Sequence, residues 1–186
     1  MAAMFTAIAV VLNGFTLPAP YAGFLLYGVW EIPVALALLI LGFRGGVFVA
    51  ALNGLSLEFI NPGGLPTGPL YNLFAEVSMF VGILLAERLV KGRGRALLVA
   101  CATGAGAVMR TGVMTLVNWL VLAQPYPIGF GSFGVTQAAV PGLLVLIAIF
   151  NATVVLYVVP ASYGILNAVT SRYGTIGTQW SERPNT

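Results

Sequence analysis

The chain has 186 residues, of which 59% are hydrophobic and only 7% charged, and its mean hydropathy is +0.98. A water-soluble domain of this size needs far more polar surface, so the composition predicts that the lipid bilayer is its solvent. The net charge of +3 comes from basic residues spread along the chain, which does not favour nucleic-acid binding. The length provides for about six or seven membrane spans of roughly 20 residues and excludes an additional soluble domain.

The basic residues are distributed unevenly among the connections that join the apolar segments. Of eight Lys and Arg residues, only Arg110 lies inside an apolar segment. The other seven fall in alternate connections or in the C-terminal tail, and they are Arg44, Arg88, Lys91, Arg93, Arg95, Arg172 and Arg183. This is the positive-inside pattern of multi-pass membrane proteins, and it predicts that those connections lie in the cytoplasm.

Taken in chain order, the apolar segments predict six spans, over about residues 2–17, 29–43, 46–60, 70–89, 96–123 and 137–168. Pro and Gly mark the breaks between them, and the connections assigned to the outside carry no charge. We therefore predict an all-α membrane protein, a single six-transmembrane-helix bundle over residues 1–172 with its N- and C-termini in the cytoplasm. Residues 173–186 are expected to form a polar cytoplasmic tail, and the bundle to lie in the plasma membrane.

The residue types exclude several kinds of catalysis. The chain has no His and no Asp, which rules out Ser–His and Cys–His dyads and His-based zinc sites. It has no GxxxxGK[ST] motif for binding nucleotide phosphates. A GxGxxG pattern at 129–134 is a weak signal, because no βαβ unit surrounds it. We therefore expect a binding or transport protein rather than an enzyme, with no resident cofactor and no metal.

Ionisable residues inside a membrane span are costly, so each needs a partner or a functional reason. Arg110 lies midway along the fifth predicted span, and Glu58 and Glu76 lie in the third and fourth. One interpretation is that Arg110 forms an internal ion pair with Glu76 or Glu58 that fixes the helix register. The other is that Arg110 binds an anionic group of a ligand. Glu31, at the outer edge of the second span, suits the positive N-terminus of a helix.

Uncharged polar residues point to a site in the outer half of the predicted bundle. Asn72 and Glu76 share one face of the fourth span at the i, i+4 spacing. Asn118 and Trp119 lie near the outer end of the fifth span, and Asn151 lies inside the sixth. Amides both donate and accept, which matches a neutral heterocycle whose edge alternates C=O and N–H. The alternative is that these asparagines only form hydrogen bonds between helices.

Small residues recur in the first span. Ala3 and Ala7 form an AxxxA spacing, which sets two methyl groups one helical turn apart. Such spacing allows another helix to approach closely. The spacing fits contact with a partner protein and also fits ordinary packing inside the bundle.

In their order along the chain, these features resemble the substrate-binding S components of energy-coupling factor (ECF) vitamin transporters, particularly the riboflavin-specific branch. The resemblance covers about residues 1–170 and includes the six spans, the AxxxA and the basic connection between the fourth and fifth spans. Its local motifs are Leu17-Pro18-Ala19-Pro20, Glu31-Ile32-Pro33-Val34-Ala35, Gly42 to Gly46, Asn53, Pro66-Thr67-Gly68 with Asn72, Val117-Asn118-Trp119 and Phe150-Asn151.

The resemblance implies a subunit that captures a vitamin, riboflavin above all, from outside the cell. The pocket would lie between the outer loops and the outer halves of spans four to six. A separate transmembrane coupling protein, docked on Ala3 and Ala7, and two cytoplasmic ATPase subunits would be its partners. From the resemblance and the polar pattern together, the expected substrate-binding residues are Asn53, Tyr71, Asn72, Glu76, Arg110, Asn118, Trp119 and Asn151.

The chain departs from the riboflavin branch at three positions, where Leu52, Pro69 and Val154 replace a Lys, an acidic residue and a Lys. An S component for another vitamin such as thiamine, or for a queuosine precursor, is therefore an alternative. A cationic ligand would favour Glu76 and an anionic one Arg110. A third alternative is a non-transporting membrane scaffold whose buried polar groups only hold its helices together.

Overall fold

The computed structural model describes residues 1–60, 65–90 and 92–174, and the chain is mainly helical, as predicted. Its elements are α1 (Ala2–Leu12), β1 (Thr16–Ala19), β2 (Ala22–Gly28), α2 (Glu31–Ile60), α3 (Gly68–Leu89), α4 (Arg95–Val121), a short 3-10 helix (Gly131–Phe133) and α5 (Val140–Tyr173). In the described ranges, α2 to α5 are long and apolar enough to cross a membrane, which makes the chain a multi-pass membrane protein. The predicted polar tail lies, from residue 175 onward, outside the described residues.

Helix α2 reverses direction at Gly42, where φ is 79° and ψ is −179°. Glycine adopts such a φ without steric cost, so the regular helix is interrupted there. Beyond the break, a Cβ added to Gly46 would lie 2.9 Å from the Cα of Leu38. Eight residues of straight helix span about 12 Å, so the two arms of α2 must fold back on each other. These arms correspond to the second and third predicted spans.

The six predicted spans therefore map onto α1, the two arms of α2, and α3 to α5. Helix α1 has only 11 residues, fewer than the roughly 20 that a full crossing takes. Helix α5 has 34 residues, and Pro160 inside it removes one backbone hydrogen bond. The number of crossings and the cytoplasmic position of both termini stay predictions.

A β-hairpin occupies residues 16–28, where the sequence predicts the end of the first span and a loop, so the all-α prediction is wrong there. Strand β1 pairs antiparallel with β2, with Pro18 opposite Leu26. Pro18 and Pro20 have no N–H with which to continue a helix, and α1 ends at Leu12. In a two-stranded ribbon each strand has an unpaired edge, where the missing N–H of a proline costs little.

Helices α3 and α4 approach closely because each has a glycine at their contact. A Cβ added to Gly82 would lie 2.4 Å from the carbonyl oxygen of Ala105 and 2.7 Å from the Cα of Gly106. Glycine at such a crossing allows two backbones to touch, which is the usual way for membrane helices to gain packing contacts. The large side chains of Met79 and Phe80 are fully buried beside this crossing.

We predict that Gly82→Ala lowers the melting temperature of the detergent-solubilised protein. The added methyl group must push α3 away from α4, which corresponds to about 1–3 kcal/mol for an overpacked core. Gly104→Ala on α4 is the matched control, because a Cβ there meets no atom within 4 Å. Equal melting temperatures for the two variants would contradict the close α3–α4 contact.

Candidate functional site

A cavity of about 440 Å³ opens at the end of the bundle that carries the hairpin. Its lining is mostly apolar and aromatic with a few polar side chains, and it comprises Phe24, Leu25, Leu26, Leu57, Glu58, Leu65, Gly68, Pro69, Tyr71, Asn72, Ala75, Arg110, Met114, Asn118, Leu122, Phe130, Ile147, Phe150 and Asn151. Small-molecule sites have this composition and volumes of about 300–1,000 Å³. Five of the eight predicted substrate-binding residues are in this set, and their contact with a ligand stays a prediction.

The three asparagines of the predicted site line this one cavity from three helices. Asn72 comes from the first turns of α3, Asn118 from the last turns of α4, and Asn151 from the first half of α5. Asn118 Nδ2 donates to the carbonyl oxygen of Met114 at 2.7 Å. Asn151 Nδ2 donates to the carbonyl oxygen of Ile147 at 2.9 Å. Helical backbone thus holds the amides of Asn118 and Asn151 in fixed orientations at the cavity wall.

Arg110 is buried at the cavity floor and pairs with Glu31, the first residue of α2. Its Nη2 donates to Glu31 Oε1 at 2.9 Å, and its Nη1 donates to Glu31 Oε2. Its Nε donates to Asn151 Oδ1 at 2.9 Å. The predicted pairing with Glu76 or Glu58 is therefore wrong. Glu31 lies 79 residues away in sequence and becomes buried because the hairpin before it and α5 cover the start of α2.

Glu76 is 1% exposed and lies one helical turn deeper than Asn72 on α3. Its Oε1 has no hydrogen-bond partner in the described part of the chain. Electrostatic interactions link Glu76 to both Glu31 and Arg110, so the three groups form one buried cluster below the cavity. Glu58, by contrast, lines the cavity as an exposed residue near the end of α2.

Two other predicted substrate-binding residues lie away from the cavity lining. Asn53 is 1% exposed, and its Oδ1 accepts a hydrogen bond from Asn13 Nδ2 at 2.8 Å, which links α2 to the end of α1. Trp119 is 58% exposed on the outer surface of α4. Neighbouring helix positions point in different directions, so Asn118 faces the cavity and Trp119 does not.

The two predicted docking residues lie on the free face of α1. Ala3 and Ala7 are both exposed, whereas Phe5 and Ala9 are buried on the opposite face against α2. The AxxxA pair is therefore not used for packing inside the described bundle. Its contact with a partner protein stays a prediction.

Strand β2 covers one side of the cavity, and this covering was not predicted from the sequence. Phe24, Leu25 and Leu26 of strand β2 line the cavity. Tyr157 Oη donates to the carbonyl oxygen of Gly28 at 2.7 Å, which joins the end of the hairpin to α5. A possible signal was the apolar run beside the Pro-rich turn, in a connection that carries no charge.

A second segment, the connection from α4 to α5, closes the cavity from the other side. Thr67 Oγ1 donates to the carbonyl oxygen of Pro127 at 2.9 Å, and Tyr71 Oη donates to that of Ile128. A Cβ added to Gly129 would lie 2.0 Å from the carbonyl oxygen of Val121, so this glycine allows the connection to lie against the end of α4. Gly131 lies similarly close to the carbonyl oxygen of Ala123, and Gly134 has a φ of 90°, so this run of glycines meets local packing and turn requirements.

Four arginines of the described residues lie at the end of the bundle remote from the cavity. Arg88 ends α3, Arg95 begins α4 and Arg172 lies in the last turn of α5, whereas the opposite ends of these helices line the cavity. Arg44 lies next to the reversal of α2, whose two ends are also on the cavity side. These four arginines and the cavity thus lie at opposite ends of the bundle.

The site has groups for binding and holding a molecule. In residues 1–60, 65–90 and 92–174, no three His, Cys, Asp or Glu side chains are arranged to hold a metal ion. Cys101 lies on α4 outside the cavity lining. The polar atoms that reach the cavity belong to amides, a tyrosine hydroxyl and charged side chains, which provide hydrogen bonds and charge.

One solved structure has a closely similar fold. It is described as "Structure and mechanism of the S component of a bacterial ECF transporter", and the match has a TM-score of 0.73 over 94% of this chain and 95% of that chain, at 20% sequence identity. No protein-family model matches the chain. No curated protein sequence matches it either. The chain therefore has the fold of an ECF S component.

We predict that Arg110→Met destabilises the protein by about 3–5 kcal/mol, because it leaves the buried Glu31 carboxylate without its counter-charge. Adding Glu31→Gln to that variant should restore part of the loss. The exposed Arg88→Met is the control and should stay within about 0.5 kcal/mol of the original protein. Thermal unfolding in detergent measures all four proteins, and a double variant as unstable as Arg110→Met would contradict the pairing.

Proposed function

We propose that the chain is the substrate-binding subunit of an ECF-type vitamin importer, with riboflavin as the first ligand to test. The observation that carries the proposal is that Asn72, Asn118 and Asn151 line one cavity in a bundle with the S-component fold. The protein would bind its ligand from outside with high affinity and hand it to an ATPase-driven coupling module. Its own role is binding rather than catalysis.

The cavity suits a flat heterocycle of vitamin size. Phe24, Phe130 and Phe150 supply apolar surface from β2, the α4–α5 connection and α5. The asparagine amides supply donors and acceptors around this surface. A nanomolar complex corresponds to about 12 kcal/mol. Burial of a fused aromatic ring together with satisfied amide hydrogen bonds is the kind of interaction that reaches this range.

The charge pattern supports a cavity that faces outward. Arg44, Arg88, Arg95 and Arg172 lie at the end of the bundle opposite the cavity. By the positive-inside rule that end is cytoplasmic, which orients the cavity toward the exterior of the plasma membrane. Both chain termini would then be cytoplasmic.

A division of labour with other subunits completes the proposal. From the resemblance to S components, two cytoplasmic ATPase subunits would supply the energy and a transmembrane coupling protein would transmit it. The lack of a P-loop motif in the sequence agrees with this assignment. The exposed Ala3 and Ala7 offer a surface on α1 that another helix can approach closely.

Ligand binding can be tested with purified protein by native mass spectrometry and by titration of riboflavin fluorescence. Asn72→Ala and Asn118→Ala should each weaken binding about tenfold, because a lost hydrogen bond to a buried polar partner is worth about 1–3 kcal/mol. Asn167→Ala, at the opposite end of α5, is the control and should bind normally. A folded protein that carries no co-purified small molecule and binds no vitamin would favour the scaffold alternative instead.

Docking can be tested separately from ligand binding. We predict that Ala3→Leu with Ala7→Leu prevents co-purification with a co-expressed coupling protein and its ATPases, because bulky side chains keep the partner helix away. Ligand affinity should not change. Ala168→Leu, the same substitution at another exposed helical position, is the control and should leave the complex intact. Loss of ligand affinity in the α1 variant would count against a pure docking role.

A further inference from the structure

The charged side chains at and beside the cavity do not cancel. Glu31 and Arg110 neutralise each other as a bidentate pair, and Asn151 takes a third N–H group of the guanidinium. Glu76 remains as an additional carboxylate beside this pair, and Glu58 adds another at the cavity wall. Even without Glu76, the carboxylates of Glu31 and Glu58 outnumber the single guanidinium of Arg110, so the site is negative overall.

Arg110 is poorly available to a ligand. A guanidinium has five N–H groups, and the three nitrogens of Arg110 already donate to Glu31 and Asn151. Its side chain is almost completely buried, so an anionic ligand would have to displace Glu31 to reach it. Replacing one carboxylate by another gains little and leaves Glu31 unpaired in an apolar environment.

Glu76, unlike Arg110, has a buried polar atom that is not engaged in a hydrogen bond. Its Oε1 is inaccessible to solvent and has no hydrogen-bond donor among the described residues. A buried polar atom without a partner is rare in folded proteins and destabilises them, so its retention calls for an explanation. Asn72, one turn above on the same helix face, and Arg110, its neighbour in the buried cluster, both line the cavity. Glu76 thus neighbours two residues of the cavity lining without being part of that lining itself.

We propose that Glu76 is the acceptor for a cationic or N–H-bearing group of the ligand, and that the site excludes anionic ligands. This inference rests on the proposed function, because it requires that the cavity binds a small molecule. The ligand class is then a neutral or cationic heterocycle whose donor group enters below Asn72. Phosphate esters of the same heterocycle would be rejected, because Glu31 and Glu58 repel them and Arg110 is already paired.

The charge selectivity can be tested with two pairs of compounds, riboflavin with its phosphate ester and thiamine with its phosphate ester. Binding to the purified protein is measured by calorimetry or fluorescence. For each parent compound that binds, its phosphate ester should bind at least 100-fold more weakly. An ester that binds as well as its parent compound would overturn the inference and leave the proposed function intact, and so would an anionic ligand found in the purified protein by native mass spectrometry. If none of the four compounds binds and no small molecule co-purifies, the vitamin-binding proposal fails, and this inference fails with it.

The role of Glu76 itself can be tested with Glu76→Gln and Glu76→Leu. Both should leave the melting temperature of the ligand-free protein unchanged or raise it, because Glu76 Oε1 has no hydrogen bond to lose among the described residues. Glu76→Gln should lower the affinity for a cationic ligand about tenfold or more. Glu76→Leu should lower the affinity for both a cationic and a neutral ligand by at least as much. A group that only stabilises the fold would give the reverse result, a lower melting temperature with unchanged affinity, and that result would overturn the inference.

Glu87→Gln is the matched control for this experiment. Glu87 lies on the same helix and is 3% exposed, but its Oε1 accepts a hydrogen bond from Tyr163 Oη at 2.9 Å. It is three turns farther from the cavity, toward the basic end of the bundle. The control should therefore lower the melting temperature and leave ligand affinity unchanged.

Discussion

The fold of the cavity end depends on the ion pair between Glu31 and Arg110. A charge buried in an apolar bundle is tolerated only with a counter-charge and good hydrogen-bond geometry, and this pair has both. It joins the start of α2 to the middle of α4, and through Asn151 it also engages α5. Three helices are thereby held at fixed positions around the cavity floor.

Most of the helical architecture was accessible from the sequence, because apolar segments bounded by Pro and Gly are a strong signal in a membrane protein. The reversal at Gly42 coincides with a predicted glycine-rich turn. The hairpin at 16–28 could not be predicted from the sequence. Its two short strands follow no clear alternation, and their pairing depends on contacts with α5, such as that of Tyr157 with Gly28.

The polar residues of the cavity were partly predictable, because they stand out in apolar helices. Asn72, Asn118 and Asn151 are conspicuous as polar residues in apolar helices, and all three reach the same space. The partner of Arg110 was not predicted, because Glu31 begins a different span and only tertiary packing brings it to Arg110. A polar residue within a span can instead join two helices, as Asn53 does, so polarity alone does not identify a residue of the cavity.

The two coverings of the cavity have a kinetic consequence. The hairpin is bonded to α5, and the α4–α5 connection is bonded to Thr67 and Tyr71 of the α3 region, so each covering is held by a helix other than the two that it joins. The cavity opens between these coverings, so a small molecule can enter without a prior conformational change. Association without such a change falls in the usual range of about 10⁵–10⁷ M⁻¹s⁻¹, and differences in affinity between ligands then lie mostly in how fast each one dissociates.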